Sequence, residues 1–205
     1  MQNEGIKADS DTLRLMLLDA RTHYGWQDKQ VTMSTLRRLY DLAKMGPTSM
    51  NQQPMRVLFV QSQDAKERLR PCLIEGNIAK MMAAPVTAII AYDLNFFEEL
   101  PRLFPPNLNA KDIFKKNATA AQINAFRNGT LQGAYFMLAA RAVGLDIGGM
   151  SGFDNTKVDE AFFQGSSLKS NFLCNLGYAD TSRIFRRLPR LEFDEACELL
   201  GELPA

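Results

Sequence analysis

The stretch from Pro85 to Asp93, PVTAIIAYD, limits the fold more than any other part of the chain. It is too short to span a bilayer, and too continuously apolar to leave either face in water, so it reads as a central strand covered on both sides. Such a strand needs partners of both kinds, neighbouring strands and covering helices. The longest periodic segment, Thr119 to Val143, sets Ile123, Phe126, Leu131, Ala134, Tyr135, Leu138 and Ala142 along one side. This spacing predicts a central buried helix, in spite of Gly129 and Gly133.

The remaining pattern mixes helices and strands without a regular βαβ repeat. Leu13, Met16, Leu17 and Ala20 predict an amphipathic helix over 11–20, with Asp9, Ser10 and Asp11 as cap candidates. Leu36, Leu39, Tyr40 and Ala43 predict a second from Ser34 to Met45, stopped by Gly46-Pro47. MRVLFVQ, from Met55 to Gln61, reads as a strand and Asp64 to Leu69 as a short helix, after which Pro71 and Gly76 break the chain. Residues 94–118 carry Pro101, Pro105 and Pro106 among Phe96, Phe97, Phe104 and Phe114 without a clean period, which predicts an irregular lid or pocket segment. Gly144, Gly148, Gly149 and Gly152 cluster in GLDIGGMSGFD, followed by a helix over Asn155–Phe163 and a strand over Asn171–Leu176. The order implies an α+β layered fold, and with no repeat or linker it is a single domain over 1–205.

Composition narrows the function. Twenty-four Lys and Arg against 23 Asp and Glu give a net charge of +1, too little for a general nucleic-acid field. One histidine and three scattered cysteines exclude a His-rich zinc site, a zinc ribbon and a disulfide framework, so no metal is expected. The polar, acidic N-terminus and the lack of any apolar run of about 20 residues lead to the expectation of a cytoplasmic, membrane-free protein. GxGxxG and the P-loop are both missing, so a nicotinamide would not be held by a Rossmann unit. The Asn117 and Asn128 N-x-T matches carry no weight without a secretory signal. Scarce acid–base partners point to a cofactor that brings its own chemistry.

Four polar segments lie beside element ends: Arg21-Thr22-His23, Pro47 to Asn51, Gly76-Asn77 with Lys80, and Gly148 to Gly152. Each alone reads as readily as a helix cap or surface turn as it does as a binding segment. Together, and in this order, they resemble the nitroreductase family of FMN-dependent NAD(P)H oxidoreductases, with Arg187-Leu188-Pro189 as a fifth match. The resemblance implies a central, mostly antiparallel sheet flanked by helices, in a domain-intertwined homodimer with flavin at the subunit interface. It assigns Arg21, Thr22, His23 and Arg187 to the ribityl phosphate. Pro47, Thr48, Ser49 and Asn51, in PTSMNQQP, are assigned to the partner's flavin. Asn77 and Lys80 are assigned to the flavin pyrimidine, and Met150, Ser151 and Gly152 to the region near flavin N5. No catalytic side chain is implied, because the flavin carries the hydride.

The residue chemistry agrees with these roles. Guanidinium groups bind phosphate bidentately, an ammonium and an amide suit a ring that becomes anionic on reduction, and glycines let backbone approach a flat ring. His23 reads as a hydrogen-bonding or packing group rather than a general acid. Two positions depart from the family pattern: Ser151 where several members carry Glu, and Phe185 where some carry a phosphate-side Lys. Arg183, Arg186 or Arg190 is expected to compensate for the second. DARTHYGW, GPTSMNQQP, LFP, MSGFD and RLPRL further resemble the RutE/HadB branch, whose members are assigned as malonic semialdehyde reductases of pyrimidine catabolism making 3-hydroxypropionate. A carboxylate substrate would need a cation, for which Arg102, Lys111 and Lys115 are the candidates. The alternatives are a broad-acceptor nitro or quinone reductase using an aromatic pocket around Phe96 and Phe104, and a non-catalytic flavin-binding dimer. NADH and NADPH are not distinguished, and the long helix is expected to form much of an interface above about 2,000 Å².

Overall fold

The computed structural model describes residues 7–201; the first six residues of the polar N-terminus lie outside them. In chain order the elements are α1 (Ser10–Leu13), α2 (Met33–Ala43), β1 (Met55–Val60), α3 (Gln63–Leu69), α4 (Glu75–Ala83), β2 (Val86–Asp93), α5 (Leu100–Leu103) and α6 (Ala110–Lys115). They continue with α7 (Ala118–Ala142), β3 (Asp146–Met150), α8 (Asn155–Phe162), β4 (Leu168–Gly177) and α9 (Phe193–Ala196). The four strands form one antiparallel sheet in the order β1-β2-β4-β3, so the apolar run does lie in its interior.

Strand β2 shows why it had to be apolar throughout. Val86, Ala88 and Ile90 point into a core with Leu36 and Leu39 of α2 and Phe136 and Ala140 of α7. Ile89 and Ala91, on the other face, join Leu69, Met81 and Val158 from α3, α4 and α8. The period of two divides one strand between two cores. The α+β layered class is therefore observed, with helices on both faces of the sheet.

Helix α7 forms where expected but is turned the other way. Ile123, Phe126, Leu131 and Tyr135 are exposed, whereas Ala121, Ala125, Asn128, Gly129, Gln132, Gly133, Phe136, Ala139 and Ala140 are buried. Small residues let the helix lie close: a Cβ on Gly133 would stand 2.6 Å from the Phe172 ring. The buried amides are paired, Gln132 Oε1 accepting from Met55 N at 2.9 Å and Asn128 Nδ2 donating to Gln52 at 3.0 Å. Asn117 caps α7, its side chain accepting from Ala120 N.

Other expectations shift. Gly76 does not break the chain but lies in the first turn of α4. The first helix ends early: after Asp9 caps it, residues Arg14–Leu18 form a π-helical turn, and Leu13 and Leu17 face solvent. The glycine cluster contains a strand, β3, because pairing with β4 overrides poor glycine propensity. Residues 94–118 fold into short helices around their own core of Tyr92, Phe97, Leu100, Ala110 and Phe114. Phe96, expected to line an acceptor pocket, is fully buried there against Phe97 and Phe114.

Candidate functional site

Strand β3 gathers the first group of candidate residues. The Arg21–His23 segment runs along it, Thr22 bridging Ile147 and His23 N donating to the Ile147 carbonyl at 2.9 Å. A Cβ on residue 148 would stand 2.6 Å from the His23 carbonyl oxygen, which restricts that position to glycine. Beyond buried Met150 the chain turns through exposed Ser151 to Gly152 and meets α4. There the Gly152 carbonyl accepts from Ile74 N at 3.2 Å and from Asn77 Nδ2 at 3.0 Å. One turn further along α4, Lys80 Nζ donates to Asn77 Oδ1 at 3.3 Å and lies 4.7 Å from the Tyr24 ring centroid. Asn77, Lys80, Met150, Ser151 and Gly152 thus form one neighbourhood, joined to the Arg21 segment through Tyr24.

Tyr24 also lines a cleft of about 620 Å³ with Leu17, Ala20, Arg21, Thr22, Arg141, Phe185, Arg186, Arg187, Leu188 and Arg190. Among the described residues five guanidinium groups and no carboxylate line this space. Arg187 is drawn in by hydrogen bonds to the carbonyls of Leu18 and Ala20, the latter at 2.9 Å. Arg183 does not take part, its stem packing over Gly25. Arg186 and Arg190 are therefore the ones that accompany Arg187. The sequence reading missed Arg141, which stands at the end of α7 and donates to the Met16 carbonyl at 2.8 Å. Its only sequence signal was a basic residue in the last turn of a long helix, immediately before the glycine cluster.

His23 lies behind the cleft and is nearly fully buried. Burial pushes its pKa below the ordinary 6.5; Asp146 opposes this, whereas Arg21 and Arg141 add to it. The neutral imidazole places Nε2 3.4 Å from Asp146 Oδ1, and Nδ1 is buried without a partner among the described residues. Neutral histidine has one donor and one acceptor nitrogen, so Nδ1 remains an acceptor without a donor when Nε2–H faces the carboxylate.

The Pro47–Asn51 loop lies elsewhere, leading into β1 at the opposite edge of the sheet from β3. Three interstrand spacings separate the two edges, roughly 14 Å. Ser49 N donates to Asn128 Oδ1 at 2.8 Å, Asn51 Nδ2 to the Leu103 carbonyl at 2.8 Å, and Thr48 Oγ1 accepts from Gln53 N at 3.2 Å. Met50, Asn51 and Gln53 all have positive φ, at 51°, 49° and 41°. Each such residue costs on the order of 1 kcal/mol, so the loop is held in a strained shape by its surroundings.

The substrate candidates stand with this second group. Arg102, beside Leu103, forms an ion pair with Glu99 at 2.8 Å, Lys111 pairs with Glu98, and Lys115 is exposed at the end of α6. Within one chain none of them lines the arginine cleft.

The nitroreductase family model matches residues 17–178, most of the chain. Three solved structures share the fold. A protein from Exiguobacterium sibiricum assigned as a nitroreductase, solved in complex with FMN, is 18% identical with a TM-score of 0.82, covering 95% of this chain and 99% of that one. A Bacillus subtilis protein assigned as a nitroreductase is 18% identical with a TM-score of 0.81, covering 94% and 100%. A Staphylococcus epidermidis protein assigned as an NAD(P)H:FMN oxidoreductase is 19% identical with a TM-score of 0.80, covering 95% and 98%. With most of its length matched by the family model and this sheet and helix arrangement shared, the chain belongs to the nitroreductase family.

Proposed function

We propose that the chain is an FMN-dependent NAD(P)H oxidoreductase, active as a homodimer, that reduces malonic semialdehyde to 3-hydroxypropionate. The observation that carries the flavin reading is the junction of a carboxylate-free arginine cleft with the Asn77–Lys80–Gly152 cluster. A phosphate with an attached planar ring needs this combination: fixed cations at one end, an amide and an ammonium at the other. The donor set therefore fits FMN. Similarity to a fold neighbour solved with FMN agrees with it.

Each group then has a task. Arg21 and Arg187 hold the phosphate, and Asn77 and Lys80 hold the polar edge of the ring and supply positive charge beside it. The Ser151–Gly152 backbone lies against the ring. Bound FMN supplies two-electron transfer between nicotinamide and acceptor. Lys80, half-buried over the Tyr24 ring, does more there than in water because its field is less screened.

Two features support a shared site. The Pro47–Asn51 loop carries backbone strain without any contact to its own chain's arginine cleft, consistent with service to a partner's flavin. Large apolar side chains are also left uncovered on α7 and along the C-terminal arm, among them Phe126, Tyr135, Leu188, Leu191, Phe193 and Leu200. Apolar surface on this scale marks an interface. Across it, Arg102, Lys111 and Lys115 would accompany the loop toward the partner's flavin, where a substrate carboxylate would compete for them with Glu99 and Glu98. Among the described residues no helix is long and apolar enough to cross a membrane.

The test is anaerobic. The flavoprotein is reduced with one equivalent of NADPH, malonic semialdehyde is added, and the flavin band is followed by stopped flow. Rapid reoxidation with 3-hydroxypropionate formed is the expected result. Reoxidation only by nitroaromatics or quinones would replace the aldehyde with a broad-acceptor reading, and a flavin that no nicotinamide reduces would leave a binding protein.

A further inference from the structure

Asp146 opens β3 and uses both carboxylate oxygens to hold chain that lies outside the strand. Oδ2 accepts from Ala179 N at 2.8 Å, and Oδ1 stands 3.4 Å from His23 Nε2. Ala179 lies two residues beyond β4, on the way to the arm that carries Arg187. His23 lies two residues beyond Arg21, on the segment bridged to Ile147 along the outer edge of β3. The two stretches meet again at the cleft, where Arg187 donates to the carbonyls of Leu18 and Ala20. The contacts therefore close a ring, with Arg21 and Arg187 on one side of it and Asp146 on the other.

The two pins of this ring differ. A phosphate would compete for the donors that Arg187 gives to the two carbonyls. The Asp146 contacts use no phosphate-binding group, so they do not depend on what fills the cleft. Asp146 is also a charge. With Asp19, Arg21, His23 and Arg141 it lines a smaller cavity of about 190 Å³, which shares Ala20, Arg21 and Arg141 with the arginine cleft. A carboxylate here opposes an incoming anion by its field and favours it by the geometry that it enforces. The side chain is half-buried, so water screens the field over the distance to the cleft, whereas the contacts at 2.8 and 3.4 Å act locally.

We propose that Asp146 is a positioning residue for the FMN phosphate, holding the Arg21 segment and the base of the arm on β3 so that Arg21 and Arg187 converge. This role rests on the flavoenzyme reading above, and in it Asp146 acts through the two arginines without touching the ligand.

The experiment compares FMN with riboflavin, which has the same ring system and no phosphate, in fluorescence titrations of the apoprotein. Asp146→Asn keeps the size of the side chain but turns one acceptor into a donor, so it can serve Ala179 N or His23 Nε2 but not both. FMN is expected to bind this variant about tenfold more weakly, although a repelling charge has been removed, and riboflavin to bind it as it binds the wild type. Unchanged or tighter FMN binding would overturn the proposal, leaving Asp146 as a repelling charge alone. An equal loss for both flavins would also overturn it, since a general loosening of the fold does not single out the phosphate. Asp146→Glu keeps the charge and alters the reach, and it serves should the first variant not fold. It is expected to lose FMN affinity in the same selective way, and full retention would overturn the proposal. The ring C–H resonance of His23, the only histidine in the chain, gives a readout independent of flavin. Arg21 and Arg141 disfavour its protonated form and Asp146 favours it, so its titration should move to lower pH in Asp146→Asn. An unmoved titration would remove the contact on which the role stands. A wild type that binds no FMN would overturn the flavoenzyme reading together with this one.

Discussion

Asn77 and Gly152 occupy each other's only available space. The amide Nδ2 donates to the Gly152 carbonyl at 3.0 Å, and a Cβ on residue 152 would lie 2.6 Å from that nitrogen and 2.4 Å from Ile74 Cδ1. The strand-to-helix contact that sets the Asn77–Lys80 pair in place therefore depends on a missing methyl group.

Gly152→Ala should leave the fold intact, because Ile74 is exposed and able to turn aside, but it should displace Asn77. We expect FMN affinity to fall about tenfold. Fluorescence titration of the apoprotein with FMN checks this; an unchanged Kd would separate Asn77 from flavin binding.

Removing either of the proposed phosphate cations should weaken FMN binding by one to two orders of magnitude, the worth of about 1.5–3 kcal/mol for a charge-assisted hydrogen bond. Arg187→Met should have the larger effect, since it also releases the arm from the Leu18 and Ala20 carbonyls. Apoprotein reconstitution with the Arg21→Met and Arg187→Met variants measures both.

Stability should depend on His23 below neutral pH. Its native pKa lies below 6.5, so between that value and 6.5 the unfolded chain binds more protons. The contribution is complete above pH 6.5 and shrinks as the pH falls through the lowered native value. Denaturant unfolding of the wild type and His23→Asn at several pH values should show a shallower slope in the variant over this window; parallel curves would contradict the assignment.

Among the described residues Lys66 is a buried lysine with no carboxylate partner. Its ammonium caps the C-terminal end of α4 through the carbonyls of Met82, at 3.2 Å, and Ala84. Lys66→Met should destabilise the protein by about 1–3 kcal/mol by leaving these acceptors unpaired. Chemical denaturation measures the loss.

Replacing Arg102, Lys111 and Lys115 singly by Met should raise the KM for malonic semialdehyde in at least one variant, with flavin reduction by NADPH unaffected. Steady-state kinetics with separate half-reactions tests this, and unchanged kinetics in all three would remove them from the substrate site.

How far the sequence was readable follows from where its signals came from. Strand β2 was legible because burial on both faces leaves an unbroken apolar run. Helix α7 was legible as a helix but not in its orientation. Periodicity reports that Ile123, Phe126, Leu131 and Tyr135 share a face, and it does not say whether that face meets the chain's own sheet. The sheet-facing side is built from Gly129, Gly133 and paired amides, which a hydrophobicity pattern passes over. Strand β3 was hidden because Ile147-Gly148-Gly149 is held by pairing with β4 rather than by propensity. At the candidate site, Arg21, Asn77, Lys80, Gly152 and Arg187 were proposed through motif resemblance. Arg141 belongs to no motif, and Tyr24, though inside DARTHYGW, had no role assigned to it; that they join the pieces in space became visible only when the chain was folded.

The central claim is a flavin site completed by two chains, and native mass spectrometry of the purified protein tests it most directly. A dimer carrying two FMN, which loses both when it is dissociated to monomers, is the result expected. A monomer that retains FMN stoichiometrically, or a dimer that takes up none, would contradict it.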